Sequence, residues 1–395
     1  MKALICLNAG SSSIKFALYV LTGENEPDLC AHGQIAKIGI APVLRITAPD
    51  GAGLHHREWA DGAGLSHEAL LGALLDWTMG HLQGRELMGV GHRVVHGGAL
   101  FSAPQQVDEG VLASLSALSD LAPLHQPHNL AAIRAISALA PHLPQVACFD
   151  TAFHHAMPAL HTRFALTRDL HDHGVRRYGF HGLSYEFIAG RLAQIDPTLA
   201  QGRVLVAHLG NGASLCALKA GCSVETSMGF SALDGLMMGT RCGTLDAGAV
   251  LHLLMQQGMS ASEVEDLLYR QSGLLGVSGL SSDMRELEAS PAPGAEEALD
   301  LFAWRVAREA GALVMALGGL DGVVFTAGIG ENDAVMRARI CTYLEWLGAM
   351  VDFEANTASA PVISAPGSRV VIRVIPTDEE RMIALHALSV LQEGH

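Results

Sequence analysis

Leu4-Ile5-Cys6-Leu7-Asn8-Ala9-Gly10-Ser11-Ser12-Ser13-Ile14-Lys15-Phe16-Ala17-Leu18 and Val204-Leu205-Val206-Ala207-His208-Leu209-Gly210-Asn211-Gly212-Ala213-Ser214-Leu215-Cys216-Ala217-Leu218 lie 200 positions apart and follow one pattern. In each, an apolar strand runs into small and polar turn residues and then into a second apolar strand. One supersecondary unit used twice predicts two domains. A chain of 395 residues favours the same division, because single hydrophobic cores stop growing well below that length. A cleft between the domains is then the default place for a site.

Outward from the hairpins, helical patterns occupy residues 111–119 and 129–139, and a strand ends at Cys148-Phe149-Asp150. Beyond the second hairpin, helices are expected over 245–257 and 262–269, the latter capped by Ser260 or Ser262. A strand over 370–375 leads to a final helix over 382–392, placed to pack back on the first domain. Alternating strands and helices of this kind give an α/β fold. The expected boundaries are 1–150 with about 380–395 for the first domain and 151–379 for the second. Residues 310–330 are apolar enough to raise the membrane question, but Gly318-Gly319 and Asp321 divide them into helix, turn and strand, so no membrane span is expected.

A net charge of −15 argues against non-specific nucleic-acid binding, which needs a basic face. Any phosphate must be held locally, by backbone N–H groups and a few cations. The seven cysteines form no C-x-x-C pair and read as buried, reduced thiols of a cytoplasmic protein, and Met1-Lys2-Ala3-Leu4-Ile5-Cys6 meets Asn8 and Gly10 too early for a signal peptide.

The turn Asn8-Ala9-Gly10-Ser11-Ser12-Ser13-Ile14-Lys15 offers consecutive N–H groups, hydroxyls, an amide and an ammonium, a set that suits a polyphosphate with its metal and equally an ordinary hairpin turn. Two further glycine turns, at Gly210-Asn211-Gly212 and Gly328-Ile329-Gly330-Glu331-Asn332, also follow apolar strands, the second opening a helix whose N-terminus suits a phosphate or ribose. No G-x-x-x-x-G-K-[S/T] and no complete G-x-G-x-x-G is present, so a different nucleotide fold is needed. Arg93 in Gly91-His92-Arg93-Val94-Val95-His96-Gly97-Gly98 and Arg241 in Met237-Met238-Gly239-Thr240-Arg241-Cys242-Gly243 sit among glycine and apolar residues. There a guanidinium either lines a shaped cavity, as a fork for carboxylate or phosphoryl, or ties down backbone carbonyls. Asp150 and Glu379-Glu380 follow apolar strand ends, where acids serve metals or substrates in α/β proteins; solvated loop acids are the alternative. No H-E-x-x-H or cysteine spacing supports zinc, and no G-x-S-x-G elbow supports a nucleophilic serine, although His125 and His181 lie in proline- or glycine-framed segments.

Together these segments resemble the acetate kinase family, within the actin, sugar kinase and Hsp70 ATPase superfamily. The likeness runs in order through residues 8–15, 91–98, 122–129, 149–154, 177–184, 208–214, 237–243, 282–285, 326–332 and 375–380. It implies two duplicated α/β domains of the actin-like ATPase (ribonuclease H-like) type with an interdomain active-site cleft, a homodimer, and reversible Mg-dependent phosphoryl transfer between ATP and acetate, giving acetyl phosphate and ADP. By position it implies that Asn8 and Glu379 hold Mg2+, with Mn2+ as an alternative. Lys15, His208, Leu209, Gly210, Asn211 and Gly212 contact phosphates. Asp283, Met284 and Arg285, with Gly328, Ile329, Gly330, Glu331 and Asn332, hold the adenosine side. Arg93 binds the acid's carboxylate, while Arg241, His181, His125 and Asn211 stabilise the moving phosphoryl, and Asp150 matches the family's catalytic aspartate. A carboxylate is already ionised at neutral pH and needs no general base, so Asp150 is expected to orient Arg93 or a metal water.

Departures concern the acid. Where the family reads G-F-T-P-L-E-G, this chain has Gly229-Phe230-Ser231-Ala232-Leu233-Asp234-Gly235, and that proline lines the pocket around the acid's methyl group with residues matching Val95, Leu124 and Phe180. Ala232 leaves room for a methylene, worth about 1 kcal/mol, which makes propionate a competitor. Gln126, His128, Thr244 and Leu245 also depart from the family. The alternatives are a propionate- or butyrate-preferring kinase and, in another class, an ATP-gated actin- or Hsp70-like binding protein.

Overall fold

The computed structural model describes residues 2–22 and 26–393. The chain divides into two compact units, residues 1–153 with 378–395 and residues 154–377.

In the first unit, β1 (Lys2–Ala9), β2 (Ile14–Thr22), β3 (Glu26–Ala36), β4 (Val43–Thr47), β5 (Gly53–Glu58), β6 (Glu86–Val94), β7 (Gln105–Gln106) and β8 (Gln145–Phe149) form a sheet of order β5-β4-β3-β2-β1-β6-β8-β7. Alternation along β1 splits its side chains between faces. Ala3, Ile5 and Leu7 join Ile14, Phe16 and Leu18 in a core with α1 (His67–Leu82) and α2 (Gln126–Leu139). On β6, a Cβ at Gly91 would lie 2.6 Å from Ile383 Cγ2, so glycine is what lets the C-terminal helix (Glu379–Glu393) approach this closely. That packing carries Glu379 into the first unit, whereas the sequence-based boundary left it at the end of the second.

In the second unit, β9 (Arg203–Leu209), β10 (Ala213–Lys219), β11 (Cys222–Thr226), β12 (Gly322–Thr326) and β13 (Val371–Val374) lie in the order β11-β10-β9-β12-β13. The pairing senses repeat those of β3-β2-β1-β6-β8: two antiparallel steps, then two parallel ones. The duplication seen in the sequence is therefore topological, with one slip. Residues 10–13 join the paired Ala9 and Ile14, but only 210–212 join Leu209 and Ala213. The 200-residue correspondence holds on the first strand of each hairpin and is lost on the second, and His208 faces Ser214 where Asn8 faces Lys15.

Helix α3 (Gly182–Ile195) begins after His181, and the long α4 (Pro293–Leu317) ends at Gly318, before β12. The apolar stretch over 310–330 is thus helix, turn and strand, and among the described residues no helix is long and apolar enough to cross a membrane. Ser260, not Ser262, caps the helix Ala261–Arg270, in a reciprocal capping box with Glu263. The third glycine turn is itself a short helix, α5 (Ala327–Asn332), entered through Ala327 at φ 64°.

Buried histidines, His92 and His154 among them, should make the fold acid-sensitive. His92 meets Gln145 Oε1 at 2.8 Å, and His154 lies between Ser223 Oγ at 2.8 Å and the Phe180 carbonyl at 2.9 Å. Burial pushes both down to about 4, against partial opposition from these hydrogen bonds. Exposed histidine protonates near 6.5, so the unfolded chain takes up more protons between these values. Stability present above pH ~6.5 should fall as pH drops towards 4, by about 2 kcal/mol per histidine at pH ~5. Urea midpoints from pH 7 to 4.5 should show this loss, and His92→Gln should make it shallower.

Candidate active site

The C-terminal ends of β6 and β8 place a guanidinium against a buried carboxylate. Arg93 Nε donates to Asp150 Oδ1 at 2.9 Å and Oδ2 at 3.1 Å, and Nη2 donates to Oδ2 at 2.5 Å. The Asp150 side chain is 2% exposed and that of Arg93 20%. Burial opposes the Arg93 charge, but Asp150 and then Glu379 outweigh it and hold its pKa above the usual guanidinium value. Nη1 donates to Asn8 Oδ1 at 3.1 Å. A guanidinium has five N–H groups, so one on each terminal nitrogen remains for a ligand.

Around this pair, Asn129 Oδ1 accepts from Val95 N at 3.0 Å while its amide donates to the Ala9 carbonyl at 2.6 Å, tying the ends of β6 and β1 together. Gln126 accepts from His96 N at 3.2 Å and donates to the His96 carbonyl at 3.0 Å, which gives this departure from the family a place in the fold. Val95 is buried, and Leu124 and His125 are half-buried just before α2. Glu379, half-buried at the start of the C-terminal helix, is pushed up to about 7 by burial, an effect that Asp150 and Glu380 reinforce and Arg93 and Lys15 oppose. Lys15 is exposed and lines a cavity of about 500 Å³ with Asp378 and Glu380.

The second unit gathers different chemistry. His181 holds a left-handed φ of 58° ahead of α3, a conformation uncommon outside glycine. Its ring stacks on His208 with centroids 4.2 Å apart, and its Nδ1 meets Ser214 Oγ at 2.8 Å. Arg241 Nη1 donates to the Ala232 carbonyl at 2.6 Å. A Cβ built on Gly212 would lie 3.0 Å from Arg241 Nη2 and 3.6 Å from His181 Nε2, so both groups close on this glycine. Phe180 is buried and Ala232 half-buried.

A cavity of about 840 Å³ in the same unit is lined by Gly210, Asn211, Asp283, Met284, Arg285, Gly328, Ile329 and Asn332. Three residues expected at the adenosine or phosphate side are turned elsewhere. Gly330 packs under the Phe325 and Ala207 backbones, and Glu331 accepts from Ala327 N at 2.8 Å and Thr377 N at 3.1 Å, so it braces the loop. Leu209 is wholly buried, which leaves only its backbone for a ligand. Glu288 and Asp333, in the same lining, stand in no segment that local pattern singles out, and the hydroxyls that contact the histidines lie in such segments without showing their partners. The available signal was positional: Ser184 stands one helical turn after His181, and Ser214 stands across the hairpin from His208.

This is the fold of the actin-like sugar kinases and ATPases, with the charged groups at strand ends and glycine turns. The chain belongs to the acetokinase family, whose model matches residues 3–385. It is 53% identical to the acetate kinase of Rhodopseudomonas palustris over 395 residues, covering 99% of both chains. The solved acetate kinase of Porphyromonas gingivalis is 36% identical with a TM-score of 0.86, covering 99% of this chain and 100% of that one. A solved propionate kinase from Francisella tularensis is 37% identical with a TM-score of 0.90, covering 98% and 99%.

Removing one partner of a buried ion pair strands the other charge, at a cost of about 3 kcal/mol or more. Asp150→Ala should lower the urea midpoint accordingly, and adding Arg93→Met should recover part of the loss, as a double-mutant cycle would measure.

Proposed function

We propose that the chain is an acetate kinase, transferring the γ-phosphoryl of ATP to acetate and back. The observation that carries this is Arg93, oriented through Nε and Nη2 by Asp150 and left with N–H groups for a carboxylate. A carboxylate oxygen attacks the γ-phosphorus, the bond to the β–γ bridging oxygen breaks, and ADP leaves with the electron pair. No proton is transferred, so Asp150 serves as the anchor of Arg93 and not as a base. Catalysis then rests on positioning and charge neutralisation. Arg241, His181, His125 and Asn211 are assigned to the moving phosphoryl, Lys15, His208 and the 209–212 turn to phosphates, and the 840 Å³ cavity to the nucleoside.

The donors Asn8 and Glu379 fit a hard cation: both are oxygen ligands, and a half-buried carboxyl held near 7 gains from a divalent neighbour that favours its ionised form. Mg2+ bound there supplies charge neutralisation to the phosphate oxygens, and Mn2+ accepts the same donors. Seven free cysteines support a cytoplasmic setting, and the family likeness supports a homodimer.

A second reading, propionate preference, is favoured by Ala232 in place of the family's proline. Incubation with Mg-ATP, hydroxylamine and acetate, propionate or butyrate should give acyl hydroxamate with acetate, and its absence with every acid would refute kinase activity. Ala232→Pro should lower the propionate-to-acetate ratio of kcat/KM about fivefold, the equivalent of one buried methylene.

Arg241→Ala should lose on the order of 10³ in kcat. Gly212→Ala, which sets a methyl 3.0 Å from Arg241 Nη2, should fold normally by thermal melt yet lose about tenfold or more in turnover.

A further inference from the structure

The two stacked histidines are laced to the fold reciprocally. His181, ahead of α3, bonds through Nδ1 to Ser214 on β10, while His208 on β9 bonds through Nδ1 to Ser184 on α3, each at 2.8 Å. Ser214 and His208 are direct register partners. Each serine meets a second hydroxyl: Ser214 Oγ lies 2.5 Å from Tyr185 Oη, and Ser184 Oγ lies 2.8 Å from Thr377 Oγ1. Ser214, Ser184 and Tyr185 are wholly buried, so these hydroxyls must satisfy one another inside the protein.

The direction of the chain that ends on His181 follows from its members. A phenol is the better donor and the poorer acceptor of the Tyr185–Ser214 pair, so Tyr185 donates to Ser214. The serine hydroxyl then donates to Nδ1 of His181. An imidazole that accepts at Nδ1 carries its proton at Nε2. That nitrogen and Arg241 Nη2 both face the Gly212 turn, 3.6 and 3.0 Å from where a Cβ on that glycine would stand. The opposite tautomer would turn a lone pair towards the same place and repel an anionic phosphoryl.

We infer that Tyr185 and Ser214 are positioning residues that hold His181 in the Nε2–H form, so that it presents an N–H donor beside Arg241 to the transferring phosphoryl group. This rests on the phosphoryl-transfer reading for the role of the donor, but the tautomer itself is independent of it. Groups that bear on the ring include His208 stacked from β9, Arg241 reaching the Gly212 turn from the segment before Cys242, and the Ser214 and Tyr185 hydroxyls from β10 and α3.

The test has two arms. Long-range 1H–15N spectra of the wild-type protein, with the His181 signals assigned by comparison with His181→Gln, should show Nε2–H at pH ~8; a predominant Nδ1–H form overturns the inference whether or not the protein is a kinase. In the second arm, Ser214→Ala and the milder Tyr185→Phe should each lose about ten- to a hundredfold in kcat with small change in either KM. The deficit should shrink between pH 8 and 6, because imidazolium carries a proton on Nε2 without help from serine. A deficit constant with pH, or unchanged kcat in both variants, overturns it. Wild-type protein inactive with every acid defeats the kinase reading and leaves the first arm to decide the tautomer.

Discussion

The ion pair between Arg93 and Asp150 fixes what the first unit can do. Asp150 follows β8 and Arg93 nearly ends β6, adjacent parallel strands, so the pair sets two strand ends against each other. A carboxylate this buried is tolerable only beside a cation, and a guanidinium in a cavity has one useful orientation only if something fixes its plane. The bidentate contact does both. It also explains why an aspartate beside the reaction centre need not be a base: both its oxygens already face N–H groups of Arg93, and the acceptor of the proposed reaction has no proton to give up.

The second unit uses the same five-strand scaffold but sets different side chains at the hairpin. The hairpin turn that is one residue shorter brings His208 opposite Ser214, where the first hairpin has Asn8 opposite Lys15. One scaffold position thus carries an amide and an ammonium in one copy and an imidazole and a hydroxyl in the other. The imidazoles of His208 and His181 stack with centroids 4.2 Å apart.

Much of this was legible in the sequence because strand ends and glycine turns carry strong local signals. The hairpins, the strand before Asp150, Arg93 and Arg241 all stood out from their neighbours. The one-residue slip between hairpins was hidden because Ser, Gly and Ala fill turns of either length. Glu331 looked like a ligand because it lies in a glycine turn, yet its carboxylate caps the Ala327 and Thr377 amides, a long-range contact that local pattern does not encode. Tyr185 was silent for the same reason: its hydroxyl meets Ser214, 29 residues away, and a buried hydroxyl has no spacing rule.

On the proposed assignment, the contact between Arg241 and residue 232 separates substrate choice from catalysis. Arg241 is held by the main-chain carbonyl of Ala232, not by its side chain. Every residue type supplies that carbonyl, including the proline that the family carries there. The side chain at 232 is therefore free to vary with the size of the acid, while the backbone keeps the guanidinium at the Gly212 turn. On that assignment a change of acid preference needs no change at Arg241, which fits the close structural likeness of this chain to both an acetate kinase and a propionate kinase.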